Sequence, residues 1–317
     1  PILATSIGDP RYNDRFVVGI SPAAMAAEEK LHRDYLARLQ TVDRAVLPTA
    51  DQLSYDIFKT GREREIEGFK FPDELIPLNQ FYSTPNSFAQ LGSGNGMQPF
   101  KTVQDYDNFL KRLDGFAAWT DQAIVNMKQG VQRGYTLPKV LAERTVPQLE
   151  AHIVASPEDS LYWGPIAKMP ADFSAADRER LTRAYRAAIE TRVVPTYRKL
   201  RDYMRDEYLP KTRLSDGMEG LPNGKAWYAY NVKRITTTDY PPEQIHQIGL
   251  DEVGSTEVAP LSGAGSYRLH VRPSGSVSWS VRVVSSTRLT TPVWPIQIAP
   301  CTSSTIDATL EVGSAPS

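Results

Sequence analysis

The amino-acid sequence predicts a mainly α protein: a multi-helical array of helical hairpins, with a short extended segment near 221–238 and a C-terminal tail that reads as a β-hairpin or as disordered chain. Two observations carry the helical part. Up to Val253, Lys, Arg, Asp and Glu alternate with apolar residues at helical spacing, and helix caps, prolines and glycines punctuate the stretch into segments of helix length. A third observation divides the chain. From Gly254 to Ser317 there is no lysine, and about a third of the positions are Ser or Thr. Residues 1–253 therefore form one expected domain and 254–317 an anomalous tail.

The elements follow in order. Ser21-Pro22 supplies an N-cap and a first-turn proline, and Met25, Leu31, Tyr35, Leu36 and Leu39 then recur as one buried face of a helix over 22–47. Thr49 with Gln52 has the form of a capping box, and Leu53, Ile57 and Phe58 continue a second helix toward Gly61. Residues 69–100 hold several prolines and the cluster Gly92-Ser93-Gly94-Asn95-Gly96, which predicts a winding connection without long regular structure. Thr102 caps a third helix whose Tyr106, Phe109, Leu110 and Leu113 make an apolar stripe. Lys111-Arg112 lies on its wet side and Gly115 ends it. A helix resumes from Phe116 to Gly134, and another starts at Thr136-Leu137-Pro138 and runs toward Ile153. Ser174 with Asp177 opens the longest pattern, to Tyr208, with Leu181, Tyr185, Ala188, Ile189 and Leu200 inward and a kink expected near Thr191 from Pro195.

Asn223-Gly224 is a hairpin-type turn signal, and Trp227, Tyr228, Tyr230, Val232 and Ile235 favour extended structure, with Tyr228, Tyr230 and Val232 on one face. Pro241-Pro242-Glu243 opens a final helix that the change of character after Val253 cuts. In the tail, Tyr267, Leu269 and Val271 and then Val277, Trp279, Val281 and Val283 alternate around a Pro-Ser-Gly-Ser turn, a hairpin pattern. The same mixture of residues is also what a GC-rich coding sequence gives when read in a shifted frame.

With 41% hydrophobic and 23% charged residues and a net charge of -1, the 317-residue chain has a globular composition without general electrostatic attraction to nucleic acid. No apolar run reaches the roughly 18 residues that span a bilayer. The single Cys301 excludes an internal disulfide framework. The chain begins at Pro1, as a fragment would.

Candidate site residues are few. The group Asp9, Arg11, Tyr12, Asn13 and Asp14 is dense in polar side chains that reach a cleft or serve as turn residues. Lys225, Tyr228, Tyr230 and Thr236 line a peptide groove or are buried and satisfied. Arg11, Tyr12, Lys225, Tyr228, Tyr230 and Thr236 are thus the candidate groove residues. Gly92–Gly96 superficially matches a phosphate loop, but no strand precedes it and no Lys-Ser/Thr pair follows, so it reads as a flexible loop. Two His one helical turn apart with an intervening Glu would hold zinc and activate water, and none of His32, His152, His246 and His270 has such a partner four residues on. No catalytic or metal-ligating residue is assigned.

The segments PFKTVQDYDNFLKRLDGF, GYTLPKVLAERTVPQLEAH, YLPKTR, GKAWYAYNVKRITTTDYPPEQIHQIGLDEV and, near the start, ATSIGDPRYNDR occur in order. As a set they resemble the N-terminal half of a bacterial family, domain of unknown function 885 (DUF885), over about residues 1–253. The resemblance implies a zinc-metallopeptidase-like hydrolase whose His-Glu-x-x-His sequence lies in the C-terminal half. On that view this chain is a truncated part, inactive alone, with zinc and a peptide substrate expected for an intact relative and a periplasmic or secreted location. The alternative is a helical binding or scaffold protein whose β-rich tail recognises a partner.

Overall fold

The structure is a computed structural model that describes residues 1–255, 265–271 and 279–285. Two compact units divide between Asn231 and Val232.

The first unit opens with the short helix α1 (Ile2–Ser6) and a single helical turn at Pro10–Tyr12. Then come α2 (Pro22–Gln40) and α3 (Thr49–Gly68), which pack side by side. Ser21 caps α2 as expected, its Oγ accepting from the Ala24 amide at 3.2 Å. The apolar stripes of this pair are not the buried faces expected. Leu31, Tyr35, Leu53, Ile57 and Phe58 remain exposed, and His32 is the buried residue of α2. Tyr35 meets Phe58 edge-on with centroids 6.2 Å apart, so the aromatic contact lies between the two helices, with the flanking Leu and Ile left outside. At the start of α3 the expected capping box is replaced by Pro48 at the N-cap, and the Gln52 amide donates back to the Leu47 carbonyl at 2.9 Å.

The connection 69–100 contains a helix after all, α4 (Thr84–Gly92), with Pro85, Phe88, Ala89 and Leu91 buried. Gly92 explains how it fits. A Cβ there would stand 2.5 Å from Phe109 Cζ and 2.6 Å from Tyr162 Cδ1, so α4 approaches that closely only without one. The following residues form a held turn: Gly94 has φ of 77°, Ser93 Oγ accepts from the Asn95 amide, and Lys168 Nζ donates to Asn95 Oδ1 at 3.1 Å.

The central element is α5 (Val103–Arg133), closed at its start by the Thr102/Asp105 capping box and at its end by left-handed Gly134. It runs unbroken through Gly115, where two helices were expected. Tyr106, Phe109, Leu113, Phe116 and Met127 enter the core, and Leu110 is half-buried at its edge. Next come α6 (Lys139–Glu150), the short α7 (Gly164–Ala167), α8 (Ala175–Ala188) and α9 (Val194–Asp202); α8 and α9 pack against α5, α6 packs on α9 and α7 on α8. The helical stretch 175–208 passes Pro195 without a break. Proline supplies no N–H, and a π turn at Ile189–Val193 absorbs the missing bond near Thr191, where a kink was expected. Phe88 stacks on Phe116 at 4.5 Å and on Phe109 at 5.5 Å, and the buried Tyr162 and Tyr197 hydroxyls pair at 2.8 Å.

The segment expected to be extended is helical: α10 spans Gly224–Thr236. The turn signal is real in one respect, since Asn223 holds φ of 56°. Its carbonyl then accepts from the Trp227 amide at 3.1 Å and launches a helix instead of a hairpin. Tertiary packing overrides β propensity here, because helical spacing puts Trp227 and Tyr230 together against Phe71, at 5.8 and 5.0 Å.

In the second unit α11 covers Pro242–Ser255, and β1 (Gly265–Val271) pairs antiparallel with β2 (Trp279–Ser285), Leu269 opposite Val281. Cys301 lies outside the described residues.

Candidate binding cleft

One face of α5 carries Arg112, Gly115, Trp119 and Asn126. At 100° per residue these fall within about 60° of one another, and together they carry the N-terminal segment. Arg112 is fully buried, against the expectation of a wet side. Its Nε donates to the Arg15 carbonyl at 3.2 Å, Nη2 to the Tyr12 carbonyl at 2.9 Å and Thr5 Oγ1 at 2.6 Å, and Nη1 to Gln98 Oε1. Thr5 Oγ1 in turn donates to Asn13 Oδ1 at 2.8 Å. Four neutral oxygens thus take the place of a carboxylate, and burial pulls the guanidinium down to about 10, still charged at neutral pH. About four turns on, Asn126 Nδ2 donates to the Ile20 carbonyl at 2.8 Å. Between these clamps a Cβ on Gly115 would stand 2.6 Å from Phe16 Cβ and 2.7 Å from its carbonyl oxygen, so the segment can lie directly on the helix.

The segment so held forms one wall of a cleft of about 720 Å³. Ile2, Phe16, Val17, Gly19 and Ile20 face it from that side, Trp119 from α5, and Phe88 and Leu91 from α4. Phe16 meets Phe88 edge-on at 5.1 Å. The polar lining is the first turn of α4, Thr84, Asn86 and Ser87, with Gln90 one turn later; no lining residue is charged. Phe81 and Tyr82 also line the cleft, and although aromatic they are 77% and 88% exposed. Asn79 Oδ1 holds them by accepting both of their amides, at 2.8 and 2.6 Å. A Cβ built on Gly19 meets nothing within 4 Å, so the cleft is open there.

The expected site residues lie elsewhere. Arg11 is engaged by Asp9, whose carboxyl it holds down at about 2 through hydrogen bonds of 2.6–3.1 Å, and it stacks over Tyr12 at 5.5 Å. The two sit just upstream of the cleft wall without lining it. Lys225 and Tyr228 are exposed on α10, one turn apart. Tyr230 faces the opposite way, its hydroxyl donating to the Arg64 carbonyl at 3.0 Å, so the Tyr228-Tyr230 face of a strand does not exist. Thr236 turns its hydroxyl to the Val232 carbonyl at 2.8 Å. The structure does not bring Arg11 and Tyr12 into one site with the α10 residues. The residues missed were Arg112, Asn126 and the α4 first turn. A glycine, a tryptophan and two long polar side chains sharing one stripe of α5 was the signal available for the first two.

Among the described residues no three His, Cys, Asp or Glu side chains come together to hold a metal. His32 Nδ1 pairs with Arg62 at 2.7 Å, His152 packs on the Tyr197 ring at 4.4 Å, and His246 is exposed on α11. The described side chains do not fit a zinc site.

No curated protein matches the chain. Its fold is similar to a crystal structure described as a "putative lipoprotein" from Colwellia psychrerythraea, with a TM-score of 0.68 at 18% identity over 80% of this chain. The chain spans 46% of that structure's length. The family model for bacterial proteins of unknown function DUF885 matches residues 1–259. With every described helix inside that match, the chain belongs to the DUF885 family.

Proposed function

We propose that this chain is the substrate-recognition part of a zinc-dependent, peptidase-like hydrolase, and that its cleft takes a bulky apolar side chain of a peptide. The cleft carries the proposal. Its walls are Phe16, Ile20, Phe88 and Trp119, without a charged side chain, and the exposed rings of Phe81 and Tyr82 have area to gain by covering a ligand. Burying an aromatic side chain there is worth roughly 1.5–3 kcal/mol. Polar groups of α4 at one end suit a peptide, whose backbone needs hydrogen bonds, better than a hydrocarbon.

The hydrolase half of the proposal rests on the zinc-peptidase likeness that the sequence resemblance implies, and the chain's 46% span of the structural neighbour leaves room for chemistry in a longer protein. The lipoprotein description of the structural neighbour supports a location outside the cytoplasm.

Calorimetric titration with acetyl-Gly-Gly-Phe and acetyl-Gly-Gly-Ser is the test. The Phe peptide is expected to bind about tenfold or more tightly than the Ser peptide, as the burial of one ring requires. Equal affinities, or no heat from either, would overturn the proposal.

A further inference from the structure

A side chain behind the cleft ties its polar lining to its aromatic rim. Gln148, on α6, donates from Nε2 to the Gln80 carbonyl at 3.1 Å and accepts at Oε1 from Asn86 Nδ2, also at 3.1 Å. Gln80 immediately precedes Phe81 and Tyr82, and Phe81, Tyr82 and Asn86 all line the cleft. These hydrogen bonds can run in one direction only. A backbone carbonyl only accepts, so Gln148 must turn its NH2 end to Gln80. Its oxygen then faces Asn86, and an oxygen accepts only from the NH2 end of the Asn86 side chain. Asn86 Oδ1 is left over, and no donor among the described residues reaches it. Flipping Asn86 would set two carbonyl-type oxygens against each other, so the free oxygen is fixed in place before any ligand arrives. Gln90, the other carboxamide in the lining, is exposed and its side chain has no such partner among the described residues. The Thr84 and Ser87 hydroxyls can each turn to donate or accept. Asn86 is therefore the polar lining group with a set polarity.

We infer that Asn86 Oδ1 accepts a backbone N–H of the bound peptide, that of the residue whose apolar side chain enters the cleft, and that Gln148 is the positioning residue that keeps this oxygen turned to the ligand. This rests on the proposed peptide-binding reading and adds to it the residue that distinguishes a peptide from an ester of the same shape. A peptide N–H is a donor, whereas an ester oxygen in its place carries only lone pairs and would face Asn86 Oδ1 acceptor to acceptor. A site built to receive a donor rejects the analogue that lacks it, because its own acceptor is then left unpaired.

The experiment titrates the intact chain by calorimetry with acetyl-Gly-Gly-Phe, with the depsipeptide in which an ester oxygen replaces the Phe N–H, and with acetyl-Gly-Gly-Ser. The Phe peptide is expected to bind about fivefold or more tightly than the depsipeptide, as one hydrogen bond requires. Asn86→Ala is expected to cut that ratio several-fold. Any part of the ratio that comes from the ester's weaker carbonyl stays in the variant, so the drop isolates Asn86. Gln148→Met, which makes neither bond, is expected to cut the ratio as well, whereas Gln148→Glu, whose carboxylate still accepts from Asn86, should keep it. A Gln148 that only held the fold together would change both affinities alike and leave the ratio untouched. Unfolding midpoints check that the variants fold, and the peptide and depsipeptide comparison on the unaltered protein needs no variant. Equal binding of the two, with Phe still preferred over Ser, would overturn the Asn86 inference and leave apolar side-chain recognition standing. A ratio that survives Asn86→Ala would overturn it too, and a ratio lost there but kept in Gln148→Met would overturn the part given to Gln148. No binding by any of the three ligands would remove the peptide reading itself.

Discussion

Arg112→Met replaces the buried guanidinium by an apolar chain of similar length. It strips donors from the Tyr12 and Arg15 carbonyls and from Gln98 Oε1, whereas Thr5 Oγ1 keeps its bond to Asn13. The Arg15 carbonyl and Gln98 Oε1, each left without a donor, cost about 1 kcal/mol apiece, and the Tyr12 carbonyl, which keeps the Arg15 amide at 3.1 Å, loses a second bond worth about 1 kcal/mol, roughly 3 kcal/mol together, with the low end of the range applying because the segment can lift and meet water. Methionine also relieves the burial of a charge that has no carboxylate beside it, and this recovers about 1 kcal/mol. The net loss is therefore about 2 kcal/mol, and it is local. Urea unfolding measures the total, and amide hydrogen exchange over residues 12–20 measures the place. Exchange there should rise while exchange in the α5 core stays slow. Arg112→Lys should restore little, because one ammonium with three donors cannot reach four oxygens spread around a planar fork. A loss below about 0.5 kcal/mol with unchanged exchange over 12–20 would refute the claim that Arg112 positions the cleft wall.

Three further outcomes are expected. Gly115→Ala should cost roughly 1–3 kcal/mol by urea unfolding, because its methyl would meet Phe16 at 2.6–2.7 Å. It should also weaken peptide binding. Tyr230→Phe should cost about 1 kcal/mol through its lost bond to the Arg64 carbonyl, whereas Tyr228→Phe on the exposed side should be neutral; equal costs would contradict the helical assignment of α10. His152 is held below the usual imidazole range by burial, so between its unfolded and its lower folded value the unfolded chain binds more protons and stability falls as pH falls. Chemical unfolding across pH 7 to 5 should show that slope, and His152→Gln should flatten it.

What the sequence reveals and what it hides divide along sequence separation. The stripe Tyr106, Phe109 and Leu113 is legible because helix period alone decides it, and the core contains all three. Leu110 sits 100° from Phe109 and ends half-buried, so Phe109→Ala, at roughly 3–5 kcal/mol, is the heavier core truncation. Arg112 reads as a wet residue because its oxygens come from about a hundred positions away, where no local period reaches. Gly115 reads as a stop for the same reason: the Phe16 backbone that requires a glycine there is distant in sequence. Residues 224–236 read as a strand because aromatic and β-branched residues favour one, and only the Phe71 ring shows which period prevails. Of the candidate site, the polar group at 9–14 stands just upstream of the cleft wall, which is made of Phe16, Val17, Gly19 and Ile20, apolar residues and a glycine that carry no polar signal in the sequence.

The most direct measurement of the central claim is the affinity of acetyl-Gly-Gly-Phe for the protein and for its Gly19→Leu variant, with thermal unfolding run on both. A Cβ at Gly19 meets open space, so the leucine should leave the unfolding midpoint within a degree or two, as about half a kcal/mol or less implies for a surface change. The same leucine would extend into the cleft and should weaken binding at least tenfold, about 1.4 kcal/mol. Undiminished binding by a normally folded Gly19→Leu protein would show that the peptide does not occupy this cleft.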